Sequence, residues 1–302
     1  MRVLNFGSLN IDLVYRVSHI VRPGETISSV SHQRFAGGKG ANQSAALAHA
    51  GATISHAGQI GKEGRWLVEK LRNLGVNMQF TRVTDAHTGH AIIQVEKSGQ
   101  NSIVLYPGAN TTQTREHIDA TLNAFTKGDI LLLQNEINEL TYLMEQAAQL
   151  GMRISFNPAP FDSKVPTLPL DLVEFLIVNE TEAAGLVKPG SGADMLQALS
   201  ALLPQAHIVL TLGENGALYR SNDAEFHIPA VEVEAVDTTA AGDTFTGYFI
   251  AGLAAHMSSH DALSRAAYAA ALCVTHLGAM DSIPTSHEVD NLLNEKDLIN
   301  GT

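Results

Sequence analysis

The sequence contains a single cysteine, Cys273, among 302 residues. One thiol excludes an intramolecular disulfide and fits a reducing compartment, and its alanine-rich surroundings favour a small core residue over a nucleophile. Long apolar runs are also absent, since segments such as 266–274 stop well short of the roughly 18 residues that a membrane span requires. Residues 1–6 predict a strand rather than a signal peptide. We therefore expect a cytoplasmic protein with no membrane partner.

Positive charge is scarce, with 19 Lys and Arg against 31 Asp and Glu, a net charge of −12. Such a surface repels polyphosphate backbones, so nucleic acid is not an expected partner. Two nucleotide-binding motifs are missing as well. Lys39 is followed by Gly40 rather than Ser or Thr, which disfavours a P-loop. The segment 7–10 reads Gly-Ser-Leu-Asn rather than Gly-x-Gly, so we reject a Rossmann dehydrogenase.

Apolar segments of strand length alternate with helical segments along the chain, and a hydrophobic content of 45% is sufficient for a sizeable core. The predicted strands are residues 3–6, 53–57, 130–133, 153–156, 175–178 and 207–211. The predicted helices are residues 41–50, 62–74, 138–150, 180–187, 194–203, 244–256 and 261–275. This alternation predicts an α/β fold with a doubly wound, mostly parallel sheet flanked by helices, in one domain over residues 1–302.

Two stretches interrupt this rhythm, at residues 13–35 and 90–106. In the second stretch, two apolar segments flank the turn at 97–100, Lys-Ser-Gly-Gln, which is typical of a β-hairpin. We expect a hairpin within the second stretch.

The most informative segment is 236–245, where the small residues 240–242 precede Asp243 and a predicted helix. Backbone N–H groups at a helix N-terminus bind phosphate well, because the helix dipole also favours negative charge there. Asp243 would then lie beside the phosphate as a base. The same pattern occurs at ordinary helix starts, where Asp is a cap and Gly a turn. A second glycine-rich turn, at 37–42, suggests a second ligand.

Together these two turns resemble the signatures of the ribokinase branch of the PfkB carbohydrate kinases, Gly-Gly-Lys-Gly-Ala-Asn at 37–42 and Asp-Thr-x-x-Ala-Gly-Asp at 237–243. Further motifs follow the family's order at residues 7–12, 157–160, 179–182 and 211–213. The resemblance spans nearly the whole chain and implies a ribokinase-like fold. It also implies that segments 13–35 and 90–106 form a small β lid over the sugar, through which family members commonly dimerise.

The resemblance implies an ATP-dependent kinase that phosphorylates a primary hydroxyl, most simply converting D-ribose to D-ribose 5-phosphate. Asp243 would be the base, and the anion hole would be formed by Ala240, Ala241 and Gly242. The implied sugar-binding residues are Asn10, Asp12, Gly38, Lys39, Asn42, Ala91, Ile93, Glu136 and Asp243.

Several of these residues also have ordinary structural interpretations. An isolated Asn10-x-Asp12 pattern is typical of a turn. Lys39 could be a solvated loop lysine rather than the cation that neutralises phosphate. Glu136 could be a carboxylate at a helix N-terminus. The residues alone leave these alternatives open.

For ATP, the resemblance implies binding by Asn179, Thr211, Leu212, Gly213, Glu214, Gly216, Gly242 and Ala267. Glu182 would hold hydrated Mg²⁺, although Asn-x-x-Glu by itself is a helix capping box. Many relatives place His or Asn at the position of Ala267, so nucleotide preference stays open here and Tyr268 could substitute.

The resemblance also implies a potassium site, mostly of backbone carbonyls, formed by Asp237, Thr239, Cys273, His276, Gly278 and Ser282. Asp237 could instead be a structural carboxylate that stiffens its loop.

Several acceptors remain open, namely deoxyribose, another pentose or hexose, or a nucleoside, because one fold hosts many functions. His90 stands where an apolar lid residue is expected, which leaves the sugar open. No extra basic residue in the sugar motifs could meet a second phosphate, so a fructose-phosphate kinase is less favoured. A non-catalytic sensor on the same fold would lack the base or have a filled anion hole, and the sequence has neither change.

Overall fold

The structure is a computed structural model that describes the backbone of residues 1–300 and the side chains of residues 1–295. In this part of the chain the strands are β1 Val3–Phe6, β2 Asn10–Arg16, β3 Ser31–Gly37, β4 Ile54–Ile60, β5 Asn77–Val83, β6 Gly89–Val95, β7 Asn101–Tyr106, β8 Ile130–Gln134, β9 Arg153–Asn157, β10 Phe175–Asn179, β11 His207–Thr211, β12 Ala217–Arg220 and β13 Glu225–Ile228. The α-helices are α1 Lys39–His49, α2 Arg65–Asn73, α3 Arg115–Leu122, α4 Leu140–Gln149, α5 Glu180–Leu186, α6 Gly192–Leu202, α7 Ala241–Ala254, α8 Ser259–Val274 and α9 Ser286–Asn300.

The main sheet has nine strands in the order β13-β12-β11-β10-β9-β8-β1-β4-β5. The seven strands from β11 to β5 are parallel, and β12 and β13 continue the sheet antiparallel. This confirms the doubly wound α/β architecture predicted from the sequence. The six predicted strands correspond to β1, β4, β8, β9, β10 and β11. Edge strand β5 escaped prediction because few of its side chains are buried, so its sequence lacks an apolar pattern.

The central strands are buried on both faces, as expected for parallel strands covered by helices. One apolar core lies between the sheet and helices α1, α2, α7 and α8, and a second lies between the sheet and α3 to α6. Two polar side chains, Asn5 in β1 and Gln134 in β8, lie fully buried inside these apolar strands. Burial of an amide is costly unless it is hydrogen-bonded, so both residues need partners within the protein.

A second sheet has four strands in the order β3-β2-β6-β7, and we call it the lid sheet. Strands β2 and β6 pair in parallel, whereas β2–β3 and β6–β7 are antiparallel. The predicted hairpin is confirmed, since Glu96 N–H donates to Gln100 O at 3.0 Å across its turn. The lid strands begin earlier than predicted, β2 at Asn10 and β6 at Gly89, because their first residues pair with each other. The turn interpretation of Asn10 and Asp12 is therefore wrong.

Helix boundaries differ from prediction mainly at N-termini. The predicted helix 244–256 begins at Ala241, so Asp243 lies inside the first turn instead of before it. The predicted helix 62–74 opens with a 3₁₀ turn, Lys62–Gly64, and continues as α2. Helices α3 and α9 were not predicted. In the described part of the chain, no helix combines the length and apolar character needed to cross a membrane.

Candidate active site

The site lies at the point in the main sheet where the order of the strands along the chain reverses. Strand β1 sits between β8 and β4, so the chain leaves it toward both edges, and ligands of open α/β sheets bind at such a point. Ser8 follows β1 and donates its hydroxyl hydrogen bond to Glu136, which follows β8. The same carboxylate oxygen accepts from the backbone N–H of Lys39 at 2.9 Å. Glu136 is thus fixed between two strand ends and helix α1, and burial raises its pKa.

Asp243 joins the two glycine-rich motifs that lie at opposite ends of the sequence. It is the third residue of α7 and is buried, with 7% of its surface exposed. Its Oδ2 accepts from Asn42 Nδ2 at 3.0 Å, and its Oδ1 accepts from Gln43 Nε2 at 2.9 Å. Both donors lie on α1, which packs against α7. The predicted base is therefore held by two neighbouring amides, Asn42 at the end of the N-terminal motif and Gln43 directly after it.

The first turn of α7 presents backbone N–H groups beside this carboxylate. Ala240 adopts the left-handed conformation at φ 62°, and Thr244 N–H donates to Ala240 O at 2.8 Å. Ala241 N–H is already engaged by Thr238 O at 3.3 Å. Within the described residues, the N–H groups of Gly242 and Asp243 have no backbone acceptor, as is usual at a helix start. A Cβ at Gly242 would meet open space, so the turn is uncovered.

A cavity of about 250 Å³ opens in front of this turn. Its lining brings together predicted phosphate, nucleotide and magnesium residues: Lys39, Asn179, Glu182, Thr211, Ala240, Gly242 and Asp243. The remaining lining residues are Asn157, Ala159, Ile177, Val178, Thr238 and Thr246. One polar cavity therefore contains the candidate base, a helix N-terminus and a lysine.

A second cavity of about 200 Å³ contains Asn10 and Glu136, two of the predicted sugar residues, with Leu105 of the lid sheet at its wall. The two cavities are neighbours, because Glu136 of the second is hydrogen-bonded to Lys39 of the first. Asn10 is buried, and its Oδ1 accepts from Asn110 Nδ2 at 2.7 Å, which leaves the amide donors of Asn10 for another partner.

The inner face of the lid sheet carries three further predicted sugar contacts, Asp12, Ala91 and Ile93. Asp12 pairs with Ala91, and Val14 pairs with Ile93, so Ala91 and Ile93 share a face with Asn10 and Asp12. His90 lies on the opposite face, where its ring contacts Tyr106 at a centroid distance of 5.0 Å. The unexpected histidine is therefore turned away from the predicted sugar site.

Two glycines of the N-terminal motif are required by close contacts. Gly38 has φ 91°, and a Cβ there would lie 3.0 Å from Asn10 N. A Cβ at Gly37 would lie 2.0 Å from Asp12 Oδ2. Any larger residue at Gly37 would displace the Asp12 carboxylate.

Negative charge dominates the site. Burial raises the pKa of Asp12 to about 7, and the charges of Glu136 and Asp243 contribute in the same direction. Burial also raises the pKa of Glu182. The charge of Asp243, foremost, raises the pKa of Lys39, the lysine in the first cavity. A polyphosphate entering this site needs further positive charge beside that lysine, which a bound divalent cation would supply.

Glu182 fits the predicted magnesium role without giving up its structural one. It forms a capping box with Asn179, donating its N–H to Asn179 Oδ1 at 2.8 Å and accepting from Asn179 N at 3.0 Å. The capping interpretation is therefore confirmed. The box also holds a buried carboxylate at the wall of the first cavity, where oxygen ligands suit hydrated Mg²⁺.

The residues predicted to hold potassium converge next to this cavity. Asp237 accepts from Thr239 N at 2.9 Å and from Gly278 N at 3.0 Å. Although burial opposes it, these hydrogen bonds hold the pKa of Asp237 below its usual value. Ser282 Oγ donates to Gly278 O at 2.7 Å and lies 3.2 Å from Cys273 Sγ.

This set is rich in oxygen atoms, which hard cations prefer. The described residues contain no cluster of three His, Cys, Asp or Glu side chains that would suit a transition metal. His276 is exposed, and its ring nitrogen lies 3.3 Å from Leu272 O.

Part of the predicted nucleotide set lies outside both cavities. Thr211 lines the first cavity, but Leu212, Gly213, Glu214, Gly216 and Ala267 line neither. Leu212 and Ala267 pack against the two apolar cores, and Glu214 is exposed. Their roles in nucleotide binding remain predictions.

Four polar residues of the site had no role in the sequence-based prediction: Gln43, Asn110, Gln134 and Asn157. Gln43 directly follows a predicted sugar residue, and Gln134 ends an otherwise apolar strand. A polar side chain in such a strand is a usable signal, because it must find a buried partner. The identity of that partner comes only from the fold.

Comparison with known proteins points to one family of enzymes. The family model described as pfkB family carbohydrate kinase matches residues 2–286. A ribokinase from Bacillus subtilis (strain 168) is 36% identical, with 95% of this chain and 97% of that protein covered. A structure described as Arabidopsis thaliana ribokinase complexed with ribose and ATP superposes with a TM-score of 0.87 at 29% identity, covering 97% of this chain and 98% of that one.

Another relative is longer than this chain. The bifunctional ribokinase/ribose-5-phosphate isomerase A of Fructilactobacillus sanfranciscensis is 33% identical over 97% of this chain, which spans 56% of that protein. The match with the family model over almost the whole chain, together with the motifs assembled around Asp243, assigns the activity class. The chain belongs to the pfkB family of carbohydrate kinases and is an ATP-dependent sugar kinase.

Proposed function

We propose that this kinase phosphorylates the primary hydroxyl of D-ribose to give D-ribose 5-phosphate. The observation that carries the proposal is the position of Asp243, in the first turn of α7 and at the wall of the first cavity, with the second cavity adjoining through Lys39 and Glu136. A base, an anion-binding helix start and a compact polar cavity are what phosphoryl transfer to a small polyol requires.

In the proposed reaction, ribose occupies the second cavity beneath the lid sheet. Asn10, Asp12, Gly38, Asn42 and Glu136 bind its hydroxyl groups, and Ala91 and Ile93 cover it. Asp243 accepts the proton of the primary hydroxyl as that oxygen attacks the γ-phosphorus of ATP and ADP departs. Lys39 and the N–H groups at the start of α7 stabilise the charge on the transferred phosphoryl group.

Both expected cations have a structural basis. Mg²⁺, held through water by Glu182, would neutralise charge on the ATP phosphates. Potassium would lie in the loops around Asp237 and support the start of α7 from behind. The hydrogen bonds of Asp237 to Thr239 and Gly278 favour this position, because they hold two loops together next to that helix.

The test is ADP release from MgATP with ribose, deoxyribose, hexoses and nucleosides, with potassium or with tetramethylammonium. We expect ribose to be turned over fastest, with potassium increasing the rate. Asp243→Asn should lower kcat by about 10²- to 10⁴-fold, the range for loss of a general base.

Each outcome has a different meaning. Preference for another acceptor would retain the kinase and discard ribose. A rate indifferent to potassium would remove the cation assignment. Sugar binding without turnover of any acceptor would indicate a sensor, and an active Asp243→Asn would show that Asp243 is not the base.

A further inference from the structure

Behind Asp243, a chain of buried amides leads away from the site into the sheet. Gln43 Nε2 donates to Asp243 Oδ1 at 2.9 Å and to Asn157 Oδ1 at 3.2 Å. Its Oε1 accepts from Gln134 Nε2 at 2.6 Å. Gln43 and Gln134 are fully buried, with 0% of their surface exposed. Both donor positions and the acceptor of Gln43 are therefore engaged within the protein.

The orientation of Gln43 is set by the residues behind it. Gln134 Nε2 also donates to Asn5 Oδ1 at 3.0 Å. Asn5 Nδ2 donates in turn to Gly40 O at 2.7 Å and to Ser44 Oγ at 2.9 Å. A backbone carbonyl oxygen such as Gly40 O can only accept a hydrogen bond, so the NH₂ group of Asn5 must face it. This orientation of Asn5 determines that of Gln134, which in turn determines that of Gln43. A flipped Gln43 would place its carbonyl oxygen against the Asp243 carboxylate and its NH₂ against that of Gln134.

At the positions of these amides, an apolar residue would cost less free energy to bury. Asn5 and Gln134 lie in strands whose other residues are apolar, between two apolar cores. Within this network Gln134 Oε1 has no hydrogen-bond partner among the described residues, whereas the amide groups that connect Asn5 to Asp243 are paired. Paired buried groups of this kind rigidify a structure and select one arrangement. The network starts at the backbone carbonyl oxygen of Gly40 and ends at Oδ1 of Asp243, one oxygen of the candidate base. The arrangement thus connects the rigid centre of the sheet to the reacting carboxylate.

We propose that Gln43 is a positioning residue for phosphoryl transfer, which holds the Asp243 carboxylate through Oδ1 while Gln134 and Asn5 fix the direction of its amide. This inference rests on the proposed role of Asp243 as the base. An amide N–H cannot take up a proton, so Gln43 orients the carboxylate without competing for the proton of the sugar hydroxyl. Asn42 supplies the matching donor to Oδ2.

Other titratable groups near Asp243 do not depend on Gln43. They come from β2, the start of α1, the loop after β8, α5 and the end of α8: Asp12, Lys39, Glu136, Glu182 and Cys273. Substitution of Gln43 leaves all of them in place. A change in the pH profile of the variant can therefore be assigned to the lost amide donor.

The test replaces Gln43 with methionine, which keeps the length of the side chain and removes both donors. We expect kcat to fall about 10- to 100-fold, the cost of a misplaced reacting group, with KM values for sugar and MgATP within about twofold of the parent. The acid limb of the kcat profile should move upward in pH, because the charged form of the base loses a donor.

The matched control is Gln113→Met, which removes a buried glutamine that hydrogen-bonds to His117 and not to the site. It should leave both kcat and the acid limb unchanged. Gln134→Met, one step further from Asp243, should shift the same two quantities in the same direction by less. This second variant decides the question if Gln43→Met does not fold.

The outcomes separate this inference from the proposed function. Parental kcat and an unmoved acid limb in folded Gln43→Met, or in Gln134→Met if the former is lost, overturn the inference provided that Asp243→Asn is inactive. An active Asp243→Asn would overturn the role of the base itself.

Discussion

At the scale of single residues, Asp12 gives the site a pH dependence. Its pKa is raised to about 7, so the carboxylate is mostly ionised at pH 8 and mostly protonated at pH 6 in the sugar-free protein. A carboxylate accepts hydrogen bonds from sugar hydroxyls better than a carboxylic acid does. We expect the KM for ribose to rise about tenfold between pH 8 and pH 6, following the ionised fraction. Steady-state kinetics at saturating MgATP measures this.

Asp12→Asn provides the control, because its ribose KM should be higher at pH 8 and nearly constant over the same range. Parallel pH dependence in both proteins would exclude Asp12 as the titrating group. The folded protein binds the Asp12 proton more tightly than the unfolded chain, so the contribution of Asp12 to parental stability falls as pH rises from about 4 to about 7. Urea unfolding should therefore show Asp12→Asn gaining stability relative to the parent across that interval.

The site residues that the sequence proposed lie in short motifs, and there is a physical reason for this. Asp243, Lys39 and Glu136 each adjoin a glycine-rich turn or a strand end, where local sequence determines geometry. Gln43 was missed although it adjoins such a motif, because its partners Gln134 and Asn157 are 91 and 114 positions away. Pairings of this kind depend on which strands become neighbours.

At the scale of elements, access of a phosphoryl group to the start of helix α7 depends on one small residue, Gly242. A Cβ at Gly242 would contact no protein atom, and the position is helical, so Gly242→Ala should fold well. Replacing Gly by Ala in a helix stabilises it by about 1 kcal/mol. The added methyl group would however occupy the space in which a phosphoryl group approaches the N–H groups. We expect kcat to fall about 10- to 100-fold while the melting temperature stays equal or rises.

Thermal melting and kinetics on the same preparation check this prediction. The opposite signs of the two effects make it specific, because a damaged fold would lower both quantities. Unchanged kcat and unchanged KM for MgATP in a protein of parental stability would mean that phosphate does not bind closely at this turn.

The first residues of helices and strands are the features that the sequence patterns predicted least accurately. The helix over 244–256 was predicted correctly in type but begins three residues earlier, because small residues carry no apolar periodicity. Those three residues form the turn that matters for the site. Strand β2 was not predicted at its true start, because pairing with β6, which lies far along the chain, defines it.

At the scale of the whole molecule, the alternation of strands and helices was sufficient to predict six of the nine strands of the main sheet and its α/β architecture. The order β8-β1-β4 was not evident from it, and that order brings Ser8, Lys39 and Glu136 together. The net charge of −12 agrees with a site that attracts its anionic substrate locally rather than by steering. Positive charge at the site comes from Lys39 and the start of α7, and the proposed Mg²⁺ would add to it.

The lid sheet leaves an apolar edge for which we propose a second copy of the chain as partner. Among the described residues, strand β7 pairs only with β6, and its residues Ile103, Val104 and Tyr106 are 56%, 64% and 47% exposed. An open edge with exposed apolar side chains is a template for pairing with another strand. We expect sedimentation to show a mass twice the 32.2 kDa of the chain, and Val104→Lys to lower it to that of one chain.

Val104 suits this test because it lies on the face of β7 opposite Leu105, which lines the second cavity, so the substitution avoids the site. The matched control is Val83→Lys, on edge strand β5 of the main sheet, where the side chain is 44% exposed. A charged residue at either edge resists strand pairing, but only the lid variant should alter the mass. A parental protein that sediments as one chain at all concentrations, or a dimer lost through Val83→Lys alone, would show that the lid edge is not the interface.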